Sequence, residues 1–154
     1  MITLRGEDVV ITMSPEMEEL FTVHVQIKDT IPLDNQHGES VVLITFGGHV
    51  TGAMFEGIVL EGGVDTQIIG KDGLSHSLSA RYMLKGQDYT GQQCEIYIEN
   101  NGYIGKPQAS RLFCTSPRII TNSQALGHLN VEALIGEGYP APDGVDIKIF
   151  RVRA

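Results

Sequence analysis

The sequence predicts an all-β fold, an antiparallel β-barrel of roughly ten short strands with at most one or two short helices. Apolar and polar residues alternate in several stretches, most clearly from Phe21 to Lys28, as in half-buried strands. Turn-forming residues recur at intervals of about 8–15 residues, which is typical of sandwiches and barrels. The 18 glycines are scattered along the chain, and such bends favour a closed barrel over a flat sandwich. At 154 residues, the chain 1–154 is expected to form a single β-barrel domain.

The strands follow from runs of apolar and β-branched residues that end at turn signals. In chain order they are predicted over residues 8–13, 21–28, 41–46, 49–60, 64–69, 75–84, 93–99, 109–115 and 145–152, while 131–135 fits either helix or strand. The strand from Phe21 and the strand from Val145 both alternate cleanly, so we expect them to pair and close the barrel.

The connecting segments are predicted from glycine, proline, asparagine and aspartate. Residues 29–40 read as a loop that is long for a connector, which is typical of a segment that moves or covers an opening. Asn100-Asn101-Gly102 is predicted to end a strand. Ser14-Pro15 allows one helical turn at most, and residues 123–130 form the one plausible short helix.

Charge and composition exclude several classes of partner. The formal net charge is -8, which repels phosphate backbones, so no nucleic-acid partner is expected. Basic residues are dispersed and the apolar runs are short, so no membrane contact is expected. The N-terminal MITLRGEDVV carries charges where a signal peptide would be apolar, which predicts a cytoplasmic protein. Exposed strand edges favour a homo-oligomer, a dimer or larger.

The central stretch resembles an uncharacterised bacterial family, the domain-of-unknown-function family 3237. The resemblance lies in FxGxVLxGGxDxQ from Phe55, in Asp72-Gly73, and in LxARYxL from Leu78. It continues in FxTxPR from Phe113, in Leu129-Asn130, and in DGVxIxxFRV over residues 143–152. The resemblance covers nearly the whole chain. It implies an all-β, barrel-like fold, and it implies little about activity because the family has no settled one.

Two positions depart from the family pattern. Thr66 and His128 stand where the family commonly has tryptophan, and this chain contains no tryptophan. If those indoles line a pocket in relatives, the resemblance implies a pocket of different shape here.

Asp65 and Arg81 are the strongest candidate catalytic residues. They lie on consecutive predicted strands around the Asp72-Gly73 turn, where the turn length places Asp65 opposite Ala80, Arg81 or Tyr82. If both point into the barrel, the carboxylate serves as a general base and the guanidinium holds an anionic or enolate oxygen. The alternative is a structural salt bridge near one barrel end.

Four further residues are candidate ligand-binding groups, each with a structural alternative. Tyr97 is suited to a hydrogen bond at the barrel mouth, and Glu56 would be a second carboxylate in the cavity. His128 and Asn130 would reach the lumen if the short helix crosses one end, where His128 would titrate near neutral pH. The alternative for each is an ordinary exposed side chain.

No motif identifies a cofactor or a metal site. The five histidines form no ligand pair at a recognised spacing, so we expect no metal and no cofactor. Three functions remain open: an enzyme acting on a small carbonyl- or carboxylate-bearing molecule, a non-catalytic small-molecule carrier or sensor, and a structural or assembly protein.

Overall fold

A computed structural model describes residues 16–108 and 111–153, with backbone alone for 106–108. In this part of the chain there are nine strands and one short 3-10 helix, Gly127–Asn130. The strands are β1 Glu16–Asp34, β2 Ser40–Thr51, β3 Phe55–Val59, β4 Gly63–Ile69, β5 His76–Asp88, β6 Gln93–Gln108, β7 Arg111–Thr121, β8 Leu134–Ala141 and β9 Gly144–Arg153. The predicted strand over residues 8–13 lies outside the described residues.

The antiparallel sheet closes on itself, as the sequence predicts. β1 pairs with β9 on one side and with β2 on the other, so the ring has no open seam there. Phe21 lies opposite Ile149 in this closing pair. Between β2 and β5 the ring is completed by two strands stacked end to end. β4 bridges their first halves and β3 bridges their second halves.

The segment predicted as a long loop is instead a β-hairpin. β1 runs on to Asp34 and pairs with β2 through Leu33 and Val41. The turn is tightened by Asn35, whose side-chain oxygen accepts the backbone N–H groups of His37 and Glu39 at 2.8 and 2.9 Å. The turn therefore spans only the five residues 35–39, because residues 30–34 before it pair with β2 although all of them are exposed.

Three other predicted boundaries also differ. Asn100-Asn101-Gly102 does not end a strand, because β6 continues through it to Gln108 and pairs with β5 and β7 on both sides. The predicted strand 49–60 is divided at residues 52–54, where β2 ends before β3 begins. The predicted helix shrinks to the single 3-10 turn, whose Leu129, with Leu126 before it, is buried in the core.

The interior has two different halves. One end is filled by large side chains that are almost completely buried, among them Phe21, Phe55, Leu84, Ile96, Ile98, Leu126 and Leu129. Phe21 and Phe55 pack with their ring centroids 5.9 Å apart. The other half carries the polar residues Asp65, Gln67 and Asn100 among apolar ones on its inner face, and that is where a cavity lies.

Two glycines let β3 approach β5 closely. Gly57 and Gly86 lie opposite each other, and a Cβ on Gly86 would collide with the Glu56 carbonyl and lie 2.5 Å from the Gly57 Cα. We expect Gly86→Ala to lower the free energy of unfolding by about 1–3 kcal/mol, the usual cost of overpacking. Denaturant unfolding measures this change.

The matched control for this variant is Gly105→Ala. A Cβ on Gly105 meets nothing within 4 Å, so its effect should stay within about 0.5 kcal/mol. Equal stability of Gly86→Ala and the wild type would contradict the close approach of β3 and β5.

Within the described residues, no helix is long and apolar enough to cross a membrane. That the protein is cytoplasmic and that it forms a homo-oligomer remain predictions from the sequence.

Candidate functional site

A row of inner-face residues runs across neighbouring strands at the cavity. Ile44 on β2 lies opposite Asp65 on β4, Asp65 opposite Ala80 on β5, and Ala80 opposite Asn100 on β6. Adjacent strands are about 4.8 Å apart, so roughly 10 Å separates the backbones that carry Asp65 and Asn100. The methyl group of Ala80 is the only side chain between them in the row, which leaves space between the carboxyl and the amide.

The cavity at this row has a volume of about 70 Å³. Typical ligand pockets have volumes of about 300–1,000 Å³, so this space, which opens to solvent beside the exposed Ile27, holds only one end of a ligand. Its lining is apolar apart from Asp65, Gln67 and Asn100; the other lining residues are Val25, Ile27, Ile44, Phe46, Leu78, Ala80, Phe113, Val145 and Ile147.

Asp65 has one carboxyl oxygen fixed and one unpaired. Its Oδ2 accepts a hydrogen bond from the Gln67 amide nitrogen at 2.8 Å. Its Oδ1 is buried and has no hydrogen-bond partner among the described residues. Burial raises the pKa of Asp65 above its ordinary value, and the hydrogen bond from Gln67, a hydrogen bond from the Ser79 backbone and the charge of His76 oppose this shift. A partly desolvated carboxylate with a free oxygen is suited to accept a proton.

Gln67 links Asp65 to a histidine. Its side-chain oxygen lies 2.8 Å from His76 Nε2, while its nitrogen donates to Asp65. In this orientation His76 carries its proton on Nε2. His76 is half-buried and begins β5, so the three side chains form a line from the cavity outward. Gln67 and His76 therefore orient the carboxyl group.

Asn100 presents both ends of its amide without partners. Its side chain is completely buried, and neither Nδ2 nor Oδ1 has a hydrogen-bond partner in the described part of the chain. Gly136 on β8 gives the amide room, since a Cβ there would lie 3.4 Å from Asn100 Oδ1. An unpaired buried amide costs about 1–3 kcal/mol, so this residue is not explained by stability.

Tyr82 adds a third buried polar group. Its ring meets Phe46 edge to face, with centroids 5.2 Å apart, and its hydroxyl has no partner among the described residues. Burial, and secondly the charge of Asp65, raise the pKa of Tyr82, so it remains a neutral phenol at physiological pH.

The expected pair of Asp65 with Arg81 is wrong. Asp65 lies opposite Ala80, and Arg81 lies opposite Val64, which places Arg81 on the outer face of β5. Its side chain is 58% exposed and lies 3.5 Å from Glu99. Side chains alternate along a strand, so this one-residue difference in register moves the guanidinium to the outside of the barrel.

The other predicted ligand-binding residues lie away from the cavity. Tyr97 is on the outer face of β6 and donates to Glu99 at 3.0 Å, while Glu56 is exposed on β3. The side chain of His128 contacts Glu132 at 3.0 Å, and Asn130 accepts the Thr121 N–H at 2.8 Å. The 3-10 turn and the residue before it insert Leu129 and Leu126 into the core instead of these two polar residues.

Asn100 and Gln67 were not among the predicted site residues, although the sequence contains a signal for Asn100. The alternation Cys94, Ile96, Ile98 on one face of β6 continues to position 100, which places a polar side chain on an apolar face. The turn signal of Asn100-Asn101-Gly102 concealed this pattern.

No metal site is formed by the described residues. Across 16–108 and 111–153, no three His, Cys, Asp or Glu side chains come together in a way that would hold a metal ion.

Comparisons with known proteins identify relatives without an assigned function. Residues 15–152 match the sequence profile of a family described as "Protein of unknown function (DUF3237)". A curated UPF0311 protein of Clostridium acetobutylicum is 38% identical over 87 residues. This match covers 55% of this chain and 52% of that protein, so the chain aligns with about half the length of this curated relative.

Two solved structures share the fold. A protein of unknown function from Clostridium acetobutylicum has a TM-score of 0.77 at 27% identity, covering 92% of this chain and 99% of that one. An enzyme from Penicillium herquei has a TM-score of 0.70 at 19% identity, covering 94% of this chain and 98% of that one. At 19% identity the second likeness concerns the fold alone.

Proposed function

The chain belongs to the DUF3237 family of proteins of unknown function, and we propose that its barrel cavity is an active site for proton transfer on a small carbonyl compound. In this proposal Asp65 removes a proton from the carbon next to the carbonyl group. Asn100 donates a hydrogen bond to the carbonyl oxygen. The observation that carries the proposal is that Asp65 and Asn100 line one mainly apolar cavity, and that each has a buried side-chain atom without a hydrogen-bond partner among the described residues.

The carboxyl group of Asp65 has the properties of a general base. Burial raises the pKa of this carboxyl group, which makes its carboxylate a stronger base than an exposed aspartate. Gln67 donates a hydrogen bond to Oδ2 at 2.8 Å, and this bond fixes the orientation of the carboxyl group, including Oδ1. A base held in place loses little freedom when it reacts.

The amide of Asn100 is suited to the oxygen on which charge develops. Removal of a proton next to a carbonyl leaves an enolate, whose negative oxygen needs a hydrogen-bond donor. Asn100 Nδ2 is a donor with no competing partner in the described residues. The apolar walls strengthen this interaction, because charges and dipoles interact more strongly where water is excluded.

This arrangement supports isomerase or lyase chemistry at the carbonyl compound. The fungal enzyme with the same fold is consistent with a catalytic barrel, although the proposal depends on residues of this chain and not on that likeness. Arg81 has no part in the proposal because it lies on the outer face.

A non-catalytic carrier is the second candidate. The observation in its favour is the lining, which is apolar at nine of its twelve residues and would hold an apolar molecule without reacting with it. Both functions use the same cavity, so binding alone does not separate them.

Hydrogen exchange separates the two candidates. The protein is incubated in D2O with acetone, 2-butanone and 3-hydroxybutan-2-one, and NMR follows deuterium entering the carbons next to each carbonyl. The active-site proposal predicts exchange faster than in buffer alone. A compound that raises the melting temperature without exchanging would support the carrier. If no compound binds or exchanges, the cavity is not the functional site.

A further inference from the structure

Within the described residues, the amide of Asn100 has an acceptor without a partner as well as a donor without one. Proton transfer next to a simple ketone uses only its Nδ2–H, which leaves Oδ1 buried without a partner. A site that holds its substrate well pairs both atoms, since an unmet buried polar group costs free energy in the complex. The molecule that fits therefore offers a hydrogen-bond donor beside its carbonyl oxygen.

We propose that the substrate is an uncharged α-hydroxy carbonyl compound, and that the barrel exchanges the positions of its carbonyl and hydroxyl groups through an enediol. This inference rests on the proposed function and names its substrate class. Asn100 Nδ2 donates to the carbonyl oxygen, and Asn100 Oδ1 accepts the O–H of the neighbouring carbon. Asp65 removes the C–H of that same carbon.

The placement of the three inner-face residues supports this assignment. A planar amide holds both oxygens of the substrate on one side, as they stand in a cis-enediol. Asp65 lies two strands away in the same row, and the methyl group of Ala80 leaves the space between them open. The substrate then lies across Ala80, with its oxygens toward Asn100 and its C–H bond toward Asp65. A cavity of about 70 Å³ suits this compact group better than a long polar chain.

The charges around the cavity exclude an anionic reacting end. No basic side chain lines the cavity in the described ranges 16–108 and 111–153. Asp65 is acidic, and Arg81, the cation expected to neutralise an anion, faces outward. A carboxylate or phosphate inside would be buried beside a like charge with no partner, which is strongly unfavourable. The sequence predicts a carbonyl- or carboxylate-bearing substrate, and of these two the charges favour a carbonyl compound whose reacting end is uncharged.

The reaction balances without an oxidant or reductant. Asp65 takes the proton from the hydroxyl-bearing carbon, and the C–H electron pair forms the carbon–carbon double bond of the enediol. The former carbonyl oxygen gains the proton that the hydroxyl oxygen releases. A new carbonyl forms at the carbon that carried the hydroxyl, and the double-bond electrons take the proton back from Asp65 at the former carbonyl carbon. The product is an isomer of the substrate.

Two matched pairs of small molecules test the substrate class. 3-Hydroxybutan-2-one and 2-butanone differ by one hydroxyl, and methyl lactate replaces the charged carboxylate of lactate by a neutral methyl ester. With each exchange rate divided by its rate in buffer, we expect the hydroxy ketone to exceed 2-butanone by at least about 100-fold, since a site built to bind a hydroxyl rejects its analogue strongly. We expect methyl lactate to raise the melting temperature and lactate to leave it unchanged.

The outcomes distinguish a wrong substrate class from a wrong proposed function. Equal normalised exchange of 2-butanone and the hydroxy ketone, or equal binding of lactate and methyl lactate, would overturn the substrate class and leave proton transfer standing. Failure of every compound to exchange or bind would overturn the proposed function itself. Asn100→Leu provides the internal check: it should remain folded and lose the preference for the hydroxy ketone.

Discussion

Asp65→Asn is expected to lower the protein-catalysed exchange rate by a factor of about 10²–10⁴, the contribution of a positioned general base. The substitution keeps the shape of the side chain but removes its capacity to accept a proton. Gln67 can still contact the amide, so the site keeps its geometry. NMR exchange in D2O measures the rate, and thermal unfolding checks that the variant is folded.

The same carboxyl group predicts the pH dependence of activity. The rate should fall as pH falls through the pKa of Asp65, because protonation removes the base. Burial raises the pKa of Asp65, so this inflection should lie above the value of an ordinary aspartate, about 3.9. A rate that stays constant down to that ordinary value would contradict a buried base.

Stability should depend on pH in the matching sense. A carboxyl group whose pKa is raised by folding binds its proton more tightly in the folded state. Its contribution to stability is therefore fully present below about pH 3.9 and is lost as pH rises through the folded pKa of Asp65. Asp65→Asn lacks this loss, so its stability relative to the wild type should increase as pH rises toward neutral.

Arg81→Ala is the matched control for Asp65→Asn. It removes a charge one register position away, on the outer face, where the guanidinium contacts Glu99 at 3.5 Å. Exposed ion pairs contribute about 0–1 kcal/mol, so stability should change little and the exchange rate should not change. A loss of exchange in Arg81→Ala equal to that in Asp65→Asn would contradict the site described here.

Asn100→Leu is expected to stabilise the protein and to lower its activity. Leucine has nearly the shape of asparagine, and it removes two buried polar atoms that have no partner in the described structure. We expect the free energy of unfolding to rise by about 1–3 kcal/mol. The exchange rate should fall by about 10²–10³, as when an oxyanion donor is removed. Denaturant unfolding and NMR exchange measure the two effects.

Asn101→Leu is the control for this variant. Asn101 is the next residue on β6 and is exposed, where it accepts the Ser79 hydroxyl at 2.6 Å. Its replacement should change stability by about 0.5 kcal/mol or less and leave exchange intact. If Asn100→Leu instead lowers the free energy of unfolding, the Asn100 amide has a structural hydrogen-bond partner and is not a ligand-binding group.

A gain in stability together with a loss of activity would show why the polar residues are retained. Active sites commonly carry groups that are unfavourable in the empty protein and become paired in the complex. Asp65 and Asn100, which carry such groups, lie in the cavity half of the barrel, whereas the opposite half is filled by Phe21, Phe55 and other apolar side chains.

The barrel and most of its strands were predictable because period-two alternation is a local property. Phe21 to Lys28 alternates in the sequence, and Phe21 and Val23 are buried on β1. The errors occurred where local turn chemistry competed with pairing partners distant in sequence. Asn100-Asn101-Gly102 has the composition of a turn, yet β5 and β7 pair with it on both sides and hold it extended.

The sequence by itself determined the fold class, the alternation of faces along each strand, and Asp65 as a candidate base. Only the tertiary structure decided its partners, because strand register depends on the whole ring of pairings. A shift of one residue would bring Arg81 to the lumen; the actual register brings Ala80 there, with Asn100 beyond it. Asp65 and Asn100 are 35 positions apart in the chain, and the pairing of β4 with β5 and of β5 with β6 brings the two residues to the wall of one cavity.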